Sequence, residues 1–261
     1  MDRDAVQAAA EVLREARLGH ARIKALPEAC RPATIADGYR VQDALVALMG
    51  ETVVGWKIGS TSKAAQKIVG TTGPFAARIL APNFHTSPAR LLAGAFFMRA
   101  LEAEFAFTLA ADLPARDEAY RRDEVLAAAG TLHPAIEISD SRFADWSAAG
   151  APSLIADNGN EGQVVLGAGL DDWRGLDLPG HRAAMIVNGE TVAEGTGANV
   201  LDDPLEALVW LANDRRERGD GLHAGELVIT GSCTGVSMAE AGDKARADFG
   251  ALGAVELEFT T

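Results

Sequence analysis

Phe97-Met-Arg-Ala-Leu-Glu-Ala-Glu-Phe-Ala-Phe-Thr-Leu109 reads as a β-strand that carries two acids in a run of apolar residues. Side chains alternate faces along a strand, so Glu102 and Glu104 point the same way, with only Ala103 opposite them. Two rises of ~3.3 Å place them about 7 Å apart on one pleated face. Taken alone, such a pair marks the solvent face of an edge strand. A second misplaced acid changes the balance: Glu137 sits in another short apolar run, Pro134-Ala-Ile-Glu-Ile138. Three carboxylates in strands that otherwise look buried would repel one another. A hard divalent cation resolves that conflict, because Mg²⁺, Mn²⁺ and Ca²⁺ prefer oxygen donors.

Working outward, strand patterns dominate the chain from residue 53 onward. Val53–Ile58, Leu101–Leu109, Ala135–Ile138, Gln163–Gly167, Leu227–Thr230 and Val255–Phe259 are β-rich. Ala184–Val187 and Thr191–Glu194 flank Asn188-Gly189, a strong hairpin turn signal. Helical signals lie at the start and once within the β body. Residues 2–18 carry an apolar stripe at helical spacing. Thr34 can cap a second helix over 35–49, with Asp37 at its third position and Gly50 at its end. Asp203, Pro204 at the first helical position, Glu206 and a terminating Gly219 mark a long inserted helix. The expected class is α+β: a helical N-terminal part, residues 1–52, packed on a β body over 53–261.

The composition bounds the function. With 261 residues, 48% of them hydrophobic, the chain can bury a sizeable core. A net charge of −13 argues against a nucleic-acid partner and against binding an anionic membrane surface. No apolar stretch is long enough to span a bilayer, and the N-terminus has no signal-peptide pattern. The expected location is the cytoplasm. Cys30 and Cys233 are far apart and belong to no ligand cluster, so a zinc site and a disulfide framework are both disfavoured.

Three further segments could do chemistry. Gly55-Trp-Lys-Ile-Gly59 places Lys57 inside an apolar strand, where a lysine is either paired and functional or snorkels outward from an edge. Its flanking glycines let another backbone or a ligand come close. Leu227-Val-Ile-Thr-Gly-Ser-Cys-Thr-Gly235 is a strand running into a hydroxyl-rich turn that offers N–H groups to an oxygen. Asp157-Asn-Gly-Asn160 is a turn whose side chains can bond their own backbone. The five histidines have no ligand spacing, and neither a serine-hydrolase elbow nor a dinucleotide fingerprint is present.

These pieces occur in a recognisable order. Tyr39-Arg-Val-Gln-Asp43, Gly55–Gly59, Glu102-Ala-Glu104, Pro134–Arg142, Ala156-Asp-Asn158 and Thr230-Gly-Ser-Cys-Thr234 together resemble the 2-keto-4-pentenoate hydratase and 4-oxalocrotonate decarboxylase family. That family lies within the fumarylacetoacetate hydrolase superfamily. The resemblance implies a mixed β-sandwich roll with N-terminal helices, and a homo-oligomer. It implies Mg²⁺ or Mn²⁺ held by Glu102, Glu104 and Glu137, with Lys57 as the catalytic residue. Thr230, Gly231, Thr234, Asp157 and Asn158 would bind substrate, a small 2-oxo acid. The implied reaction is hydration of a 2-hydroxy-2,4-dienoate through an enolate. Decarboxylation or carbon–carbon hydrolysis is the alternative, and a non-catalytic scaffold keeping the fold is a third reading. Two departures stand out. The family's adjacent acids are missing from Ala81-Pro-Asn-Phe-His85, and its serine turn reads Asp157-Asn-Gly-Asn-Glu161.

Overall fold

Two helices open the chain in the computed structural model, which describes residues 1–261. They are α1 (Arg3–Leu18) and α2 (Ile35–Met49). The capping residues set their limits. Asp2 accepts the amide of Ala5, Thr34 accepts the amide of Asp37, and Gly50 closes α2 in a left-handed conformation.

Next come β1 (Val53–Gly59), α3 (Lys63–Val69), β2 (Phe75–Leu80), β3 (Phe84–Thr86), β4 (Ala89–Leu92), β5 (Ala100–Leu109) and α4 (Arg122–Ala128). The chain continues through β6 (Ala129–Ser139), α5 (Ala151–Ala156), β7 (Gln163–Leu166), β8 (Arg182–Val187), β9 (Glu190–Thr196) and α6 (Pro204–Glu217). It ends with β10 (Leu227–Ser232), β11 (Ser237–Met238), β12 (Lys244–Asp248) and β13 (Ala254–Thr260).

The strands form two mixed sheets. One runs β2-β1-β10-β5-β6-β7-β3, with β11 added on β5; the other runs β4-β13-β12-β8-β9. One face of the larger sheet packs on the smaller. Trp56, Phe105, Phe107 and Ile136 from the first meet Met185, Ala247, Val255 and Phe259 in the main core. The opposite face carries a smaller apolar group, including Ile79, Ala106, Ala135 and Ile229. Lys57 pairs with Ile229 and Ile229 with Ala106, so Lys57 belongs to that second face.

A separate core holds the helices. Leu13, Val41 and Leu45 pack with Phe143, Leu154 and Ile155, so α1 and α2 close against residues 143–156 as well as one another.

The strands expected from alternation are all present, and so are the Asn188-Gly189 hairpin and the Asp203 cap of α6. The expectation of a single inserted helix is incomplete, because α3, α4 and α5 are also helical over six or seven residues each. Strands β2, β3, β4 and β11 were not foreseen, and neither was β12. Its Lys-Ala-Arg-Ala-Asp sequence has weak strand propensity, but neighbours on both sides hold it and only Ala245 and Ala247 turn inward.

Candidate active site

Strand register brings the three acids together. Glu102 on β5 lies directly opposite Glu137 on β6, and Glu104 stands two residues along β5 on the same face. One carboxylate oxygen from each lies within 4.8 Å of the others. Glu104 and Glu137 are buried, while Glu102 is half-buried at the rim.

Lys57 comes from β1 and is 4% exposed. Its ammonium donates to Glu137 Oε1 and, at 2.9 Å, to the carbonyl of Gly159. Ser139, two residues after Glu137, donates to the same Oε1 at 3.1 Å. The amide of Gly231 donates to Glu104 Oε2 at 2.7 Å. Only glycine serves at position 231: φ is +109°, and a Cβ would fall 2.2 Å from Thr61 Oγ1. Gly55 is equally constrained, since a Cβ there would meet the Leu227 carbonyl at 2.0 Å. That contact brings β10 tight against β1.

The electrostatics show a site short of positive charge. Burial, reinforced by the charge of Glu137 and only partly opposed by Lys57, pushes the Glu102 carboxyl up to about 7. Burial and the charges of Glu137 and Glu102 raise Glu104 well above the carboxylate range. Burial alone would lower Lys57, but Glu137 and Glu102 outweigh it and hold its ammonium protonated. One cation facing three convergent carboxylates suits a divalent ion with oxygen ligands. The donor set therefore fits the expected Mg²⁺ or Mn²⁺.

The other expected residues surround this centre in varied roles. The Thr230 hydroxyl is buried and donates to the Phe105 carbonyl at 3.0 Å. Thr234 is half-buried, and its hydroxyl accepts the Ala103 amide at 3.4 Å. Asp157 is fully buried and holds both Arg142 and Arg17. Asn158 clasps the backbone of Arg78: its Oδ1 accepts the amide at 2.9 Å, and its Nδ2 donates to the carbonyl at 2.8 Å. These bonds fix the turn that presents the Gly159 carbonyl to Lys57.

Some neighbours escaped sequence reading. Ser139 could have been found from its i+2 spacing to Glu137. The Gly159 carbonyl has no side-chain signal at all. Glu161 is buried, bonds Asn83 Nδ2 at 2.6 Å and is paired with Arg17 at 2.8 Å. An acid thus does reach the Ala81–His85 segment, from a residue far along the chain.

Comparisons with known proteins give the family. Residues 63–260 match the fumarylacetoacetate (FAA) hydrolase C-terminal family model. The chain belongs to the fumarylacetoacetate hydrolase family. A 2-keto-4-pentenoate hydratase of Paraburkholderia xenovorans is 36% identical over 215 residues, covering 81% of this chain and 77% of its own. The 2-hydroxyhexa-2,4-dienoate hydratase of Comamonas testosteroni is 33% identical and covers 87% of both chains. The structure of 4-oxalocrotonate decarboxylase from Pseudomonas putida G7, complexed with magnesium and adipate, superposes with a TM-score of 0.92. It is 28% identical over 99% of this chain and 98% of its own. This member of the fumarylacetoacetate hydrolase family is an enzyme of the lyase type, like the hydratases it matches. No helix is long and apolar enough to cross a membrane.

Proposed function

We propose that this enzyme is a divalent-metal-dependent hydratase acting on a 2-hydroxy-2,4-dienoate or a related 2-oxo acid. The observation that carries the reading is the convergence of Glu102, Glu104 and Glu137 beside a buried, protonated Lys57. The three carboxylates would hold Mg²⁺ or Mn²⁺. When bound, the ion supplies a Lewis acid for the substrate's 2-oxo and carboxylate oxygens.

The residues of the chain do the rest. Lys57 offers a proton donor to the substrate's oxygens, and its bond to Glu137 holds the ammonium in the site. The Gly231 amide holds Glu104 in its ligating orientation, and Ser139 does the same for Glu137. Thr234, from the turn after β10, offers a hydroxyl on the oxygen side of the substrate. The backbone of Thr230 and Gly231 leads into that turn. Asp157 and Asn158 border the substrate through the Gly159 loop that they anchor.

Decarboxylation is the second reading. It is favoured by the 0.92 TM-score to 4-oxalocrotonate decarboxylase, because both reactions pass through an enolate of a 2-oxo acid. Ultraviolet absorbance of 2-hydroxypenta-2,4-dienoate and of 4-oxalocrotonate, each with and without Mg²⁺, separates the two. Metal-dependent loss of the dienoate band supports the hydratase. Turnover of 4-oxalocrotonate alone assigns the decarboxylase, and turnover of neither removes both.

A further inference from the structure

A cleft of about 440 Å³, lined by residues other than the carboxylate cluster, gathers four arginines: Arg40 from α2, Arg78 from β2, and Arg215 and Arg218 from the end of α6. Such a cluster is unexpected in a chain of net charge −13. Arg215 is only 2% exposed, yet it lines the cleft. The guanidinium planes are set by aromatic faces. Arg78 and Arg215 lie 5.0 and 4.5 Å from the centre of the Trp56 ring, and Arg218 lies 3.4 Å from that of Tyr39.

The arginines are incompletely neutralised. Arg215 and Arg218 share a single carboxylate, that of Asp214. Arg215 Nη1 and both terminal nitrogens of Arg218 bond no protein acceptor. Arg78 pairs at 2.7 Å with Asp43, whose side chain is 59% exposed. Asp220 also lines the cleft but forms no ion pair with any arginine there. Arg40 lies 3.8 Å from Asp37, but that carboxylate also holds the N-terminal ammonium at 2.9 Å, so four guanidiniums and one ammonium face Asp37, Asp43, Asp214 and Asp220 and one positive charge is left over. Uncompensated charge at a buried arginine is costly, and an added anion relieves it.

We propose that this cleft binds a small phosphoryl dianion. A planar carboxylate satisfies one guanidinium fork, whereas a tetrahedral phosphoryl group presents acceptors to several forks arriving from three elements. The source is free phosphate or the phosphate group of a metabolite. The cleft lies behind Lys57: Trp56 and Arg78 occupy the reverse face of the two strands that carry Lys57 and Ala77.

The test is calorimetric titration of the whole chain, freed of metal by dialysis, with orthophosphate and separately with glycerol 3-phosphate. Chloride at equal ionic strength is the control. Saturable binding of either supports the site, and the tighter of the two identifies the source. The Arg40→Gln/Arg218→Gln double variant should bind about tenfold or more weakly, while Arg90→Gln, at an exposed arginine outside the cleft, binds as the parent does. If the double variant does not fold, Arg218→Lys keeps the charge, loses the fork and should still weaken binding several-fold. Heat no greater than the chloride control, unchanged affinity in the cleft-arginine variants, or equal loss in Arg90→Gln overturns the proposal. So does tighter binding of citrate than of either phosphate. Dissociation of an oligomer by the double variant, without phosphate binding to the parent, would make the cleft a subunit contact instead.

Discussion

Glu102 and Glu137 face each other across neighbouring antiparallel strands, where like charges directly opposed are ordinarily destabilising. The fold keeps this pair and adds Glu104 beside it. A metal makes the arrangement favourable, so removing one acid should trade metal affinity for intrinsic stability. Glu104→Gln keeps an acceptor for the Gly231 amide while removing a charge. Calorimetry should show Mg²⁺ affinity falling by more than the ~10–100-fold typical of losing an outer-shell partner. The melting temperature of the metal-free variant should be no lower than the parent's. Unchanged Mg²⁺ binding would remove Glu104 from the metal site.

The raised carboxyl values give a pH dependence with a definite sign. Glu102 titrates near 7 in the folded protein, whereas an unfolded glutamate titrates at about 4.3. Between those values the folded state holds more protons than the unfolded state, so stability falls as pH rises. Glu104 is shifted in the same direction, which extends the window upward. Melting of the metal-free protein should therefore weaken from pH 5 toward pH 7.5. Saturating Mg²⁺ should flatten the slope and release protons on binding. A metal-free profile that is flat across this range would mean the three acids are not coupled as described.

Lys57 is the only cation bonded to the acid cluster, through Glu137. Lys57→Met should lower turnover with Mg²⁺ present by about two orders of magnitude, the scale for losing a positioned acid–base group. The same change leaves three carboxylates without a counter-ion, so the metal-free variant should melt lower at neutral pH and recover when Mg²⁺ is added. Parent-like turnover would restrict Lys57 to a structural role.

Much of this centre was legible because strand periodicity is rigid. Placing Glu102 and Glu104 on one face needed only the two-residue repeat, and an apolar context marked Glu137 and Lys57 as anomalous. Gly55 also read correctly as a point of close approach, here to Leu227. Contacts made by backbone or by distant turns left no such mark. The Gly159 carbonyl on Lys57 depends on a left-handed turn, and Glu161 meets Asn83 only through tertiary packing. Strand β12 was hidden for a related reason: its neighbours, rather than its own propensity, make it a strand.

Asp157 offers the sharpest separation of a structural from a substrate-binding role. Its carboxylate is fully buried and accepts from the Arg142 amide and guanidinium and from Arg17. Burial and the charge of Arg17 lower the Arg142 value, against the opposing pull of Asp157 and Asp140. Asp157→Asn would leave two arginines with reduced compensation in a dry setting. Removing one partner of such a buried ion pair costs about 3–5 kcal/mol, and urea denaturation should show a loss of that order. Glu161 still pairs with Arg17, which places the expected loss toward the lower end. With Mg²⁺ present and the variant folded, KM should change less than kcat, because the Gly159 carbonyl would hold Lys57 less firmly while the buried Asp157 carboxylate is taken up by Arg17 and Arg142. A large rise in KM at unchanged stability would instead show that Asp157 contacts the substrate directly.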